Sequence, residues 1–78
     1  MFAGRHRPLT YREVIAVLKE LGFSFRNQEG SHEQWIREGS PFRKVTVDKP
    51  KQPFHGDLIK YMCLQAGVSK KKFYSLVK

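Results

Sequence analysis

His32 is the residue in this chain best suited to moving a proton near neutral pH. It follows Gly30 and Ser31, and the triplet sits where a turn gives way to a predicted strand. At such a junction a close backbone, nearby amides and the Ser31 hydroxyl would be placed to hold a phosphate. The other histidines are less suggestive. His6 lies in a basic N-terminal stretch, and His55 precedes a predicted helix whose first turn it would serve. The spacings among His6, His32, His55 and Cys63 match no zinc motif, so neither a metal nor another cofactor is expected. Ser31 is a poor covalent nucleophile, because a sequence neighbour does not readily share a strand face with it and no third orienting residue is evident.

The charge says what substrate such a histidine would meet. The chain carries a formal net charge of +8 on 78 residues. Residues 1–42 hold six basic and five acidic side chains, whereas residues 43–78 hold nine and two. The second half therefore carries nearly all of the field, through Arg43, Lys44, Lys49, Lys51 and Lys70-Lys71-Lys72 among others. A field of that sign first suggests nucleic acid, then an acidic protein, then a membrane surface.

Length bounds the architecture to one small domain, residues 9–78, behind a flexible basic arm at 1–8. Hydrophobic residues at 40% and aromatic residues at 13% suffice for a folded core. A single cysteine, Cys63, precludes an internal disulfide and fits a reducing cytoplasm. No apolar run approaches the ~18–20 residues of a membrane span, so no membrane partner is expected.

The elements that must position His32 follow from local pattern. Thr10-Tyr11-Arg12-Glu13 reads as a capping box, and Val14, Val17, Leu18 and Leu21 continue at helical spacing until Gly22. This predicts a helix over 11–21. Phe23 to Asn27 alternates as a strand, with a turn at Gln28-Glu29-Gly30. A second strand spans His32–Arg37, with Glu33, Trp35 and Arg37 on one face and His32, Gln34 and Ile36 on the other. A third spans Phe42–Asp48, with Val45 and Val47 facing Trp35. Lys49–Pro53 breaks the sheet, a helix follows over 56–66, and Ser69 caps a short helix over 70–77.

The order α-β-β-β-α, with a short extra C-terminal helix, predicts an α+β two-layer sandwich like that of double-stranded-RNA-binding domains. One sheet face would be covered by the helices. The other, carrying His32, Gln34 and either Thr46 or Lys44 according to register, would be open to a ligand or partner.

Several segments then resemble the HicA family, the toxin half of HicA–HicB toxin–antitoxin pairs. They are Leu21-Gly22-Phe23, Gly30-Ser31-His32 with Trp35, Lys44-Val45-Thr46-Val47, Asp57-Leu58-Ile59-Lys60 and Gln65-Ala66-Gly67-Val68-Ser69, together spanning roughly residues 9–74. The resemblance implies a cytoplasmic, ribosome-independent mRNA interferase with a double-stranded-RNA-binding-like fold. It also implies that His32 is the active histidine, and that a HicB-type antitoxin occludes this face and represses the shared operon. The chain departs from the family at Phe54-His55-Gly56, where a Val-Pro-x-His pattern is commoner, which leaves the role of His55 open.

The chemistry expected is metal-independent cleavage of single-stranded RNA. The 2′-hydroxyl is the nucleophile, and His32 is the acid or base. Gly30, Ser31, Arg43, Lys44, Lys49 and Lys51 are the expected RNA and phosphate contacts. The alternatives are a non-catalytic RNA-binding module and a protein-interaction domain docking an acidic partner.

Overall fold

A computed structural model describes residues 7–78, so residues 1–6 of the expected arm lie outside the described residues. Helix α1 spans Tyr11–Glu20. Its start is the capping box: the Glu13 amide donates to Thr10 Oγ1 at 3.2 Å, and the Thr10 amide donates to Glu13 Oε1 at 2.9 Å. Arg7 adds a bidentate contact to the same carboxylate, at 3.1 and 2.7 Å. That pairing, helped by the Thr10 amide, holds the Glu13 carboxyl down at about 2. Val14, Ile15, Val17 and Leu18 form the buried stripe of the helix.

Three antiparallel strands follow in the order β1 (Ser24–Glu29), β2 (His32–Arg37) and β3 (Arg43–Asp48). The first strand runs two residues further than its apolar alternation indicates. A bulge between Phe25 and Asn27 shifts the register, so Gln28 and Glu29 still find partners in Glu33 and His32. The turn is thereby compressed to Gly30-Ser31. Gly30 has φ +61°, and no described non-glycine residue has positive φ. A positive φ at the first central residue alone is the type II′ pattern, whose twist matches antiparallel strands. Between β2 and β3 the register pairs Trp35 with Val45, Glu33 with Val47 and His32 with Asp48.

After a 3₁₀ turn at Lys49–Lys51, α2 spans Gly56–Ala66 and α3 spans Lys70–Ser75. The third helix stops short of the expected residue 77, although Leu76 and Val77 still pack against the core. Helix α2 ends in a Schellman motif: Gly67 has φ +77°, and the Val68 amide reaches back to the Cys63 carbonyl at 3.1 Å.

The core lies between the Trp35, Val45 and Val47 face of the sheet and the buried stripes of the helices. Ile59, Met62, Cys63 and Ala66 supply the α2 stripe, and Phe73 is the anchor of α3. The pairing of Leu9 with Phe54 is absent from any reading by periodicity. These residues exchange two backbone hydrogen bonds, at 3.0 and 2.7 Å, and both side chains are fully buried. Burying a side chain of that size contributes roughly 1.5–3 kcal/mol.

One polar group sits inside this core. Glu33 is 7% exposed. Its carboxylate accepts from the Tyr11 hydroxyl at 2.7 and 2.8 Å and from Trp35 Nε1 at 3.0 Å. Burial, together with that carboxylate, pushes the Tyr11 phenol up to about 12.

Candidate functional site

The Gly30-Ser31 turn brings two side chains to one carboxylate. Because the turn has two residues, His32 is the first residue of β2 and closes the hairpin against Glu29. On its other side His32 faces Asp48, the last residue of β3. Its imidazole Nε2 stands 3.3 Å from Asp48 Oδ2. The Ser31 hydroxyl donates to Asp48 Oδ1 at 2.8 Å. Both carboxylate oxygens are thus engaged, one by each residue of the Ser-His pair. The His32 side chain is 55% exposed and that of Asp48 19%, so the carboxylate is shielded while the imidazole meets solvent.

His32 opens onto a cleft of about 260 Å³. Asp48, Thr46 and Lys51 line it with His32, and α2 supplies Leu58, Tyr61 and Gln65. Helix α2 is fixed beside the free edge of β3 by one direct bond: the Thr46 amide donates to Gln65 Oε1 at 3.2 Å. The Thr46 hydroxyl is 3.0 Å from Gln34 Oε1 and donates to it across the sheet.

The other expected contacts scatter. Lys51 reaches the His32 cleft. Lys49 lies 4.8 Å above the Tyr11 ring, in a cation–π contact. Arg43 sits at the far end of β3, packed over Gly67, where a cation favours the C-terminal end of α2. Lys44 is four residues from Asp48 along the strand, about 13 Å away at the usual rise. It borders a separate groove with Arg26, Asn27 and Gln34. His55 occupies the N-cap position of α2 without a side-chain capping bond. Among the described residues no three His, Cys, Asp or Glu side chains are grouped to hold a metal. No helix among them is long and apolar enough to cross a membrane.

Asp48 is the residue that sequence reasoning missed. As the last residue of a strand it reads as a turn former. Only the register that sets Arg37 opposite Arg43 brings it across from His32.

Residues 11–68 match the family model for the HicA toxin of bacterial toxin–antitoxin pairs. The chain belongs to the HicA toxin family. It is therefore the toxin component of a type II toxin–antitoxin system, and HicA membership implies a HicB antitoxin as its partner. The match covers α1, the whole sheet and α2, so every residue around His32 described above falls within the HicA region. Comparison with curated proteins gives no significant match.

Proposed function

We propose that this HicA toxin is an endoribonuclease that cleaves messenger RNA with His32 as its proton-transferring group. The observation that carries the reading is the placement of the imidazole: exposed at a hairpin turn, backed by a carboxylate, and opening onto a cleft. The Asp48 carboxylate, 3.3 Å from Nε2, is placed to stabilise the imidazolium that forms when the ring takes up a proton.

RNA supplies the nucleophile. The His32 imidazole takes the proton from a 2′-hydroxyl, and the 2′-oxygen attacks the adjacent phosphorus. The bond from phosphorus to the 5′-oxygen breaks, and the departing oxygen takes up a proton from water. The products are a 2′,3′-cyclic phosphate and a 5′-hydroxyl end. Lys51 offsets the charge that builds on the phosphoryl oxygens. A positioned base of this kind contributes typically about 10²–10⁴-fold.

The test is cleavage of a mixed-sequence RNA by the purified chain in EDTA, beside His32→Gln. Cyclic-phosphate ends from the wild type, with cleavage at least about 100-fold slower in the variant, support the reading. Loss of wild-type activity in EDTA overturns the metal-independent mechanism. Equal RNA binding without cleavage by either protein leaves the RNA-binding module as the function.

A further inference from the structure

Phosphate chemistry alone does not account for the cleft beside His32. Its floor is apolar, formed by Phe54 and Met62, which are 1% and 4% exposed. A purely anionic ligand would gain nothing from such a floor. Tyr61 lines the same cleft and is 69% exposed, so its ring is offered at the rim rather than spent on the core. Gln65 lies between. Its Oε1 accepts from the Thr46 amide, so the Nε2 hydrogens remain as donors for a further acceptor. Lys51 provides a cation on the same rim.

These features together describe one ligand chemistry. It has a flat apolar face to lie against an aromatic ring, a carbonyl or ring-nitrogen acceptor on its edge, and an attached phosphate. We propose that the cleft is a nucleobase subsite, which seats one unstacked base of an RNA strand on Tyr61 with its edge toward Gln65. The base it holds would belong to a nucleotide beside the phosphate that His32 acts on. Single-stranded RNA is generally read in this way, by splaying bases onto aromatic side chains and bonding their edges. The proposal deepens the ribonuclease reading and rests on it for the scissile phosphate.

A protein ligand would use the surface differently. Leu64 is 63% exposed on the same helix, three residues from Tyr61, yet it does not line the cleft. A docked protein would cover both residues, whereas a base reaches only Tyr61.

Two experiments on the intact chain decide the matter. In the first, the four nucleoside 3′-monophosphates and inorganic phosphate are titrated into isotopically labelled protein, and amide shifts are followed. The expected result is saturable shifts at Thr46, Tyr61 and Gln65 with a ranking among the bases. Tyr61→Ala should weaken binding about 10-fold, the order of one lost base–aromatic stack. Gln65→Leu should change the ranking, and Leu64→Ala should do nothing. Identical shifts with inorganic phosphate would overturn the subsite in favour of an anion site.

In the second, cleavage positions on a mixed-sequence RNA are mapped. Tyr61→Ala should flatten the base preference beside the cut. Unchanged sites and rates in Tyr61→Ala and Gln65→Leu overturn the subsite while leaving the ribonuclease reading intact. Tyr61-dependent nucleotide binding by a wild-type chain that never cleaves RNA keeps the subsite and removes the ribonuclease. Loss of a HicB-type antitoxin in both Tyr61→Ala and Leu64→Ala, with RNA cleavage and its base preference unchanged, assigns the surface to protein and overturns the proposal.

Discussion

Asp48 stands directly across the β2–β3 ladder from His32, its Oδ2 3.3 Å from the imidazole Nε2. The pairing joins the first residue of one strand to the last residue of the next. Ser31 completes it by donating to the other carboxylate oxygen.

If Asp48 positions the imidazole, Asp48→Asn should slow RNA cleavage by about 10- to 100-fold, part of the gain expected from a well-placed base. It also removes a negative charge from the surface proposed to meet RNA, so RNA binding should hold or tighten. A fall in kcat without a rise in KM is the signature. Unchanged kcat would show that the carboxylate serves only the turn.

The buried carboxylate of Glu33 gives a stability prediction. Glu33→Ala strips the Tyr11 hydroxyl and Trp35 Nε1 of their acceptor. The indole donor is buried and the hydroxyl half-buried. At about 1–3 kcal/mol for each donor left unsatisfied, denaturant unfolding should show a loss of roughly 2–6 kcal/mol. Tyr11→Phe alone should cost about 1–3 kcal/mol, and the two changes together should cost less than their sum. Additive losses would mean the groups act independently.

Gly67 is constrained twice. Its φ of +77° disfavours any side chain, and an added Cβ would lie 2.7 Å from Arg43 Cζ. The arginine tip can swing aside, whereas the backbone cannot. Gly67→Ala should therefore lose about 1–2 kcal/mol, most of it from conformation. Repeating the change in Arg43→Ala should recover only the small remainder. Full recovery would place the cost in the contact instead.

Glu13 predicts an acid dependence. Its folded-state value, near 2, lies below the ordinary 4.5. A depressed carboxyl stabilises the fold above its unfolded value, and that contribution is lost as pH falls through the folded one. The stability difference between wild type and Glu13→Gln should be full above about pH 5 and shrink from about pH 4.5 down to 2. Both partners are partly solvated, so the difference should also shrink with salt. A pH-independent difference would assign the effect to the cap's hydrogen bonds alone.

What could be read from the sequence divides along the range of the interactions. The capping box at Thr10 and Glu13, the bounds of β2 and the inward stripe of α2 all follow from residues within a turn of one another. The turn of the first hairpin is shorter than its composition indicates, because the bulge after Phe25 is a property of two strands in contact. Asp48 was hidden for the same reason. Face parity put Thr46 or Lys44 near His32, but only the paired register sets Asp48 opposite it. The Leu9–Phe54 bridge spans most of the chain, and neither residue belongs to a periodic segment.

The segment after β3 is held at several points. Lys49 lies on the Tyr11 ring, Gln52 accepts from the Tyr11 amide at 2.8 Å, and Phe54 is paired with Leu9. Lys51 rides between these fastenings. Folding itself thus removes the conformational freedom of that stretch, with Pro50 and Pro53 already narrowing it in the unfolded chain. A ligand that meets Lys51 finds its backbone already ordered and gives up little entropy there. The backbone that carries Lys51 is thereby ordered together with the first turn of α1.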